Sequence, residues 1–136
     1  MNTDTVHTLL HPKNWKAAKG YANGVMARGA LVFLGGHIGW NAQQQFESDD
    51  LVDQVDQTLA NIVAVLREAS AGPQHIVRLT WYITDKKDYL TNLKGIGAAY
   101  RKHLGRHYPA MAMVQVVALI EDRAKIEIEA TAVLPE

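Results

Sequence analysis

The sequence contains no cysteine among its 136 residues. This absence excludes disulfides, thiolate nucleophiles, CxxC redox pairs and zinc-thiolate sites, and it fits a reducing compartment. Long apolar runs are missing as well, since no stretch approaches the roughly 20 residues that a transmembrane helix requires. The opening segment MNTDTVHTLLHPKNW lacks the basic start and apolar centre of a secretion signal. We therefore expect a cytoplasmic protein with no membrane partner.

An excess of charge of either sign is also missing, because 14 Lys and Arg residues balance 14 Asp and Glu residues. A neutral chain offers no surplus positive charge for the phosphate contacts that drive nucleic-acid binding. Nucleic acid is therefore not expected as a partner. A local basic group, formed by Arg101, Lys102 and Arg106, is interpreted as the solvated end of a helix without a functional role.

The chain has no Pro- or Gly-rich linker, no repeat and no low-complexity segment. Its composition, with 48% hydrophobic and 21% charged residues, is that of an ordinary folded protein. The length suits one domain and is too short for two ordinary ones. We expect residues 1–136 to form a single domain.

Two segments have the periodicity of amphipathic helices. Ser48 supplies a capping oxygen ahead of Asp49 and Asp50, which predicts a helix start. An apolar stripe at steps of three and four follows and ends before Gly72: Leu51, Val55, Leu59, Ile62 and Leu66. A second helix is predicted over residues 87–104, stopping at Gly105. Its inward residues are Leu90, Leu93, Ile96, Tyr100 and Leu104.

The remaining segments predict strands. Residues 76–84 alternate, with Val77, Leu79, Trp81 and Ile83 on one face. Residues 21–40 predict a hairpin around Gly29 that ends in a glycine-rich turn at 35–39. Residues 111–119 and 124–133 predict a second hairpin, whereas residues 1–19 predict a loop with at most one short edge strand. The order ββαβαββ indicates an α+β domain with two helices on one face of a sheet.

The sheet face opposite the helices has a mixed character if the closing hairpin has a simple register. Ile126, Ile128 and Ala130 then face the helices. The other face combines apolar and polar side chains, namely Met111, Met113, Val117, Gln115, Glu127 and Glu129. Such a face is typical of a subunit contact or of a pocket.

Two carboxylates and one histidine are candidates for chemistry. Glu127 and Glu129 project from the same strand face, where a carboxylate with a suitable pKa can act as an acid or base. Alternatively, both are solvated and paired with Lys125 or Arg78. His37, inside the glycine-rich segment, either lines a site or packs in a loop.

Metal and serine chemistry have little support. The pairs His103/His107 and His7/His11 have the i, i+4 spacing that clasps a metal on a helix, but no third ligand is near them. We interpret them as structural and expect no metal site. No G-x-S-x-G motif is present for a Ser-His-Asp enzyme.

Five segments, in order along nearly the whole chain, resemble the reactive-intermediate deaminase family, RidA/YjgF. They are Gly20-Tyr21-Ala22-Asn23-Gly24, Gly36-His37-Ile38, the helix from Asp53 to Leu66, Pro109-Ala110, and Lys125-Ile126-Glu127-Ile128-Glu129-Ala130. The resemblance implies a chorismate-mutase-like fold and a homotrimer with pockets between neighbouring subunits. It implies deamination of a small enamine or imine to a carbonyl compound and ammonia, without a metal or an organic cofactor.

The resemblance also implies roles for individual residues. Glu127 would hold the attacking water and act as general base, and Tyr21 would hydrogen-bond the substrate. Backbone groups near Gly36 and Met113 would complete the pocket beside His37. Glu129 receives no role.

Position 111 departs from the family pattern. The imino-acid deaminases have Pro-Ala-Arg, whose guanidinium clamps the substrate carboxylate with two parallel hydrogen bonds, whereas this chain has Met111. We therefore expect a substrate other than a simple 2-imino acid. Two alternatives remain open: a non-catalytic trimer that binds a small metabolite, and an endoribonuclease or translation inhibitor. The neutral charge and the lack of a histidine acid–base pair argue against the second.

Overall fold

The computed structural model describes residues 2–136, in which six strands and three helices follow one another in the order βββαβααββ. The strands are β1 (Thr8–Leu10), β2 (Gly24–Met26), β3 (Ala30–Ile38), β4 (Ile76–Ile83), β5 (Ala110–Gln115) and β6 (Ile126–Leu134). The helices are α1 (Leu51–Glu68), α2 (Lys86–Thr91) and α3 (Leu93–Leu104), with one 3₁₀ turn at Pro73–His75. The predicted α+β class, with helices on one face of the sheet, is confirmed.

The main sheet has four strands in the order β3-β6-β4-β5. Strand β6 is antiparallel to both of its neighbours, and β5 is parallel to β4. The alternation in β6 buries Ile126, Ile128 and Ala130 against the helices, as predicted. In β4 the predicted inward residues Leu79, Trp81 and Ile83 are buried. At the start of the strand Ile76 is buried and Val77 is not, because the pairing register with β6 shifts there.

The predicted hairpin between the last two strands is wrong, because β4 lies between β5 and β6. The helices α2 and α3 carry the chain back to the start of β4, so β5 runs parallel to β4. In this register Met111 pairs with Leu79 and Met113 with Trp81. Both methionines therefore lie on the helix face, and the expectation that they share a face with Glu127 and Glu129 is wrong.

The predicted hairpin around Gly29 is also wrong, since β2 pairs with β1 in a separate two-stranded sheet while β3 joins the main sheet. Gly29 has a φ of +144°, and a Cβ built there would lie 2.0 Å from the Leu134 carbonyl oxygen. Its positive φ redirects the chain between two sheets. The glycine-rich segment is likewise no turn: β3 continues through it, and the register against β6 shifts between Leu34 and His37 as in a β-bulge.

Helix α1 has the predicted buried stripe, whose members are Leu51, Val55, Leu59, Ile62 and Leu66. Its N-cap is Asp50 rather than Ser48, since the Asp53 N–H donates to the Asp50 carboxylate at 3.1 Å. Ser48 supports the cap by accepting from the Asp50 N–H. The α1 residue Gln54 is buried and bonds to the backbone at Ser48, Arg123 and Lys125, which fixes α1 to the start of β6.

The second predicted helix is two helices separated at Asn92. The Asn92 side chain donates to the carbonyl and the carboxylate of Asp88 at 2.7 and 2.9 Å, which satisfies the end of α2. Leu90 and Leu93, at this break, are half exposed instead of buried. The remaining inward residues, Ile96, Tyr100 and Leu104, are buried as predicted. Gly105, with a φ of +66°, ends α3. No helix within residues 2–136 is both long and apolar enough to cross a bilayer.

Candidate functional site

Glu127 lies on the sheet face that the helices leave uncovered. It pairs with Tyr82 on β4 and with Ile38 on β3. Its side chain is partly buried and forms no hydrogen bond or ion pair with residues 2–136. A Cβ built at Gly36 would lie 2.6 Å from Glu127 Oε2, so the glycine of the bulge allows the β3 backbone to approach the carboxylate. The predicted neighbours Gly36 and Glu127 are therefore together in one chain.

His37 follows Gly36 in β3 and is partly buried. Burial lowers the pKa of His37, and the nearby Glu127 carboxylate opposes that shift by favouring the charged imidazolium. The imidazole is therefore neutral near pH 7. His37 therefore contributes a neutral ring directly after Gly36 in the chain, and it pairs with Ile128 in the register between β3 and β6.

Glu129 has a different environment from Glu127. The Tyr82 hydroxyl donates a hydrogen bond of 2.8 Å to Glu129 Oε1. This bond also raises the pKa of the Tyr82 hydroxyl. The partners considered from the sequence, Lys125 and Arg78, form no ion pair with it in the part of the chain described. Of the two carboxylates, Glu129 is engaged by the protein and Glu127 remains available to a ligand.

The two predicted pocket methionines lie elsewhere, in a cavity of about 230 Å³ between α3 and β5. We call it the aromatic cavity, and its lining comprises Gly20, Trp81, Tyr89, Leu93, Ile96, Gly97, Tyr100, Arg101, Tyr108, Met111 and Met113. Three of its rings form a stack, with centroids 6.3 Å apart between Trp81 and Tyr100 and 5.2 Å apart between Tyr100 and Tyr108. Such walls suit a flat or branched apolar group.

Tyr21 occupies a third location. It precedes β2, is 44% exposed, and lines a shallow depression beside β1. The next residue anchors this segment, because the Ala22 N–H donates to the Pro109 carbonyl at 2.9 Å. Tyr21 and Met111 line different cavities, and Glu127 lines neither of them. One chain therefore brings Gly36 and Glu127 into contact. The segment of Tyr21 lies beside β5, since Ala22 pairs with Ala110, but the Tyr21 side chain and the methionines line different cavities.

The histidine pairs have protein partners. The ring Nε2 atoms of His7, His11 and His107 bond to backbone carbonyls, and that of His103 bonds to the Asp56 carboxylate at 3.0 Å. Within residues 2–136 no three histidine or carboxylate side chains are grouped to hold a metal ion. His107 is fully buried, and burial lowers its pKa.

Sequence reasoning missed the aromatic cavity and the presence of a basic residue, Arg101, in its lining. Trp81, Tyr100 and Tyr108 are distant or irregularly spaced in sequence, so no periodicity connects them. Arg101 belongs to a run of basic residues that is typical of a solvated helix end. The pattern that distinguishes it is Gly97, one helical turn earlier on the same face of α3.

Comparison with known proteins identifies the family. The sequence profile of the family described as Endoribonuclease L-PSP matches residues 12–134. The 2-iminobutanoate/2-iminopropanoate deaminase of Salmonella typhimurium is 33% identical over 125 residues, which cover 89% of this chain and 93% of that protein. The chain belongs to the RidA/YjgF family. TdcF of Escherichia coli, named as a reactive intermediate deaminase, is 34% identical over 108 residues, which cover 77% of this chain and 80% of TdcF.

Solved structures of family members share the fold. The Rid protein YyfB from Yersinia pestis superposes with a TM-score of 0.84 at 30% identity and covers 94% of this chain and 98% of its own. The structure of E. coli TdcF with bound serine gives a TM-score of 0.68 at 30% identity, with coverage of 93% and 98%. The predicted membership and fold are confirmed, and relatives of this RidA/YjgF protein are named deaminases.

Proposed function

We propose that the protein hydrolyses a reactive enamine or imine to a carbonyl compound and ammonia, with Glu127 as general base. The observation that carries this proposal is the carboxylate of Glu127, which is partly buried, lacks a protein partner within residues 2–136 and lies against Gly36. A carboxylate in such a position can hold and deprotonate a water molecule. The names of the relatives support the same reaction class.

The proposed reaction begins with tautomerisation of an enamine to its imine. Glu127 then takes a proton from water while the water oxygen bonds to the imine carbon and the π electrons of C=N move to nitrogen, which takes up a proton. The resulting carbinolamine passes its hydroxyl proton to the amine nitrogen as the C–N bond breaks, so that the oxygen becomes the carbonyl oxygen and the nitrogen leaves as ammonia. The net change adds one water to the C=NH group and yields a carbonyl and ammonia, without oxidation or reduction.

The complete pocket requires neighbouring copies of the chain. Glu127 and Met111 lie on opposite faces of the sheet, and Tyr21 lines a separate depression, so a pocket that contains all three is formed between subunits of a homotrimer. The uncovered sheet face supports this assembly because it exposes Leu31 and Phe33 at 64% and 72%. Sedimentation at micromolar concentration should give the mass of a trimer, and a monomer would contradict the shared pocket.

The substrate is a small molecule other than a simple 2-imino acid. Met111 cannot donate a hydrogen bond and carries no charge, so a carboxylate held there would lose water without gaining a partner. The aromatic cavity beside Met111 instead accommodates an apolar group. We propose an imine with an apolar body as the substrate class.

The test measures the lifetime of imines in the presence of the protein. An amine oxidase generates benzaldimine from benzylamine, an amino-acid oxidase generates 2-iminopropionate from alanine, and semicarbazide traps whatever imine survives. We expect the protein to shorten the lifetime of benzaldimine and to have little effect on 2-iminopropionate. Binding of benzylamine without any effect on either imine would favour the alternative of a non-catalytic binding protein, for which the aromatic cavity is the supporting observation.

A nuclease activity is supported by names alone, because the matched family and one structural relative from Entamoeba histolytica, 28% identical, have the word endoribonuclease in their names. The neutral charge gives no basis for RNA binding. RNA cleavage that persists in Glu127→Ala would lie outside the proposed pocket.

A further inference from the structure

Arg101 is the one charged side chain in the lining of the aromatic cavity, within residues 2–136. It projects from α3, on the wall opposite the β5 residues Met111 and Met113. Its side chain is exposed, whereas Trp81 and Tyr100 are 2% and 6% exposed. The cation therefore lies at the mouth of a cavity whose inner wall is aromatic.

The guanidinium of Arg101 has no carboxylate partner within residues 2–136. The next two residues of α3, Lys102 and His103, both contact Asp56, at 3.2 and 3.0 Å. Arg123 pairs with Asp49 at 2.9 Å. Among these basic side chains, Arg101 remains available to an external anion.

Gly97 leaves space for this guanidinium on the surface of α3. A Cβ built at Gly97 would be 3.2 Å from Arg101 Nη1 and 3.9 Å from Cζ and Nη2. The absence of a side chain at position 97 lets the guanidinium lie back over α3 beside the cavity. Gly97 thus has a positioning role that helix stability does not explain, because glycine inside a helix is unfavourable.

We propose that Arg101 recognises the anionic group of the ligand in the aromatic cavity, so that the substrate is an apolar imine with a carboxylate remote from its C=N group. This inference rests on the proposed function, because it treats the bound ligand as a substrate. The anion-binding site itself does not depend on that function. A carboxylate at Arg101 lies on the α3 wall, and the apolar body fills the space between that wall and the methionines of β5. Arg at position 111, as in the imino-acid deaminases, would instead place the carboxylate on the β5 wall.

Calorimetry with two non-reactive probes tests the proposal: 3-phenylpropionate, and its neutral amide 3-phenylpropanamide. The two share an apolar body and differ in charge. Arg101 is exposed, so we expect the acid to bind roughly threefold to tenfold more tightly than the amide, which is modest for a charge-assisted pair. Arg101→Gln should reduce this ratio to about one by weakening the acid alone. Lys102→Gln, the matched control on the adjacent residue, should leave the ratio unchanged.

A second variant separates positioning from stability. Gly97→Ala should raise the Tm, because alanine favours the helix, and should lower the acid-to-amide ratio by displacing the guanidinium. A ratio of one in the unmodified protein, no binding of either probe, or equal effects of Arg101→Gln and Lys102→Gln would overturn the proposal.

The binding test and the activity test have independent outcomes, so that failure of one can be distinguished from failure of the other. Glu127-dependent loss of benzaldimine combined with an acid-to-amide ratio of one would reject the role of Arg101 and leave the deaminase intact. A ratio that depends on Arg101, combined with no effect on any imine, would support the anion site and reject the reaction.

Discussion

Gly36 and Glu127 are coupled across two strands at the scale of single residues. Gly36→Ala would place a methyl group where the Glu127 carboxylate now lies, since the built Cβ is 2.6 Å from Oε2. We expect turnover of a confirmed substrate to fall about 100-fold, because a misplaced catalytic group loses its near-attack geometry.

Gly35→Ala is the matched control for this change. Gly35 belongs to the same bulge, but a Cβ built there meets no atom within 4 Å. The Gly35→Ala variant should retain most of the turnover. Both variants should keep their Tm within a few degrees of that of the unmodified protein. Equal losses in the two variants would indicate that the bulge as a whole, and not the position of Glu127, was disturbed.

Met111 allows a prediction of specificity. Met111→Arg supplies hydrogen-bond donors for the carboxylate of a small 2-imino acid, which Met111 cannot provide. Hydrogen bonds to charged groups contribute roughly 1.5–3 kcal/mol. The kcat/KM for 2-iminopropionate should therefore rise by roughly tenfold to 100-fold. Met111→Leu, which changes shape without adding a donor, should not raise it. High activity of the unmodified protein on 2-iminopropionate would contradict this account of Met111.

The proximity of site residues was predictable only where a local motif carried it. Glu127 and Gly36 lie in short segments that match the family, and the structure brings the two together. The position of Arg101 in the lining of the aromatic cavity was not predictable from sequence, because Arg101 belongs to the same run of basic residues as Lys102 and Arg106. The assigned roles of all the site residues remain predictions: Glu127, Tyr21, Gly36, His37, Met111 and Met113.

Two glycines within α3 give a prediction at the scale of secondary-structure elements. Glycine inside a helix is about 1 kcal/mol less favourable than alanine. A Cβ at Gly97 meets only the flexible end of Arg101, whereas a Cβ at Gly95 lies 3.1 Å from Val52 Cγ2 of α1. Gly97→Ala should therefore raise the free energy of unfolding by up to about 1 kcal/mol.

Gly95→Ala should gain less or be destabilising, because the β-branched Val52 side chain must move from its packed rotamer. Urea unfolding of the two variants measures the difference directly. A larger stability for Gly95→Ala than for Gly97→Ala would show that α1 and α3 are not in close contact at this point.

The elements themselves were predicted with uneven success for physical reasons. The stripe of α1 is a local pattern of 18 residues, and burial of one face determines it. Strand pairing is determined by non-local crossovers, so a short polar segment between β5 and β6 resembled a hairpin although β4 separates them. Asn92 breaks the second helix through hydrogen bonds to Asp88, which periodicity does not detect.

At the scale of the whole molecule, three partly or fully buried histidines make stability depend on pH. Burial lowers the pKa values of His37, His75 and His107 in the folded state. The unfolded chain, with histidine pKa values near 6.5, therefore binds more protons as the pH falls. Their contribution to stability is complete above about pH 6.5 and is lost progressively below it.

The urea midpoint should accordingly be lower at pH 5 than at pH 7.5. The carboxylate of Asp49, whose pKa is lowered by its hydrogen bond from Arg123, affects stability only below about pH 4, outside this window. His107→Gln should flatten the dependence even though it removes a bond to the Ile76 carbonyl. A midpoint that is constant or higher at pH 5 would contradict the assignment of neutral buried rings.

A trimeric assembly was expected from the sequence because of a mixed sheet face, but the residues assigned to that face were partly wrong. The predicted mixed face combined Met111 and Met113 with Glu127, but the parallel pairing of β5 with β4 places the methionines on the opposite face. The face around Glu127 instead exposes Leu31 and Phe33. The proposed trimer keeps its motivation, while the cavity of the methionines becomes a separate contribution to the pocket.

The central claim is that Glu127 is the general base of an imine deaminase. The most direct measurement is the rate of benzaldimine loss, by competition with semicarbazide, for the unmodified protein, Glu127→Gln and Glu129→Gln. General-base catalysis contributes about 10²- to 10⁴-fold, so we predict a loss of at least about 100-fold in Glu127→Gln. Glu129→Gln, which alters a carboxylate already bonded to Tyr82, should keep most of the rate. Equal rates in the two variants, or full activity in Glu127→Gln, would contradict the claim.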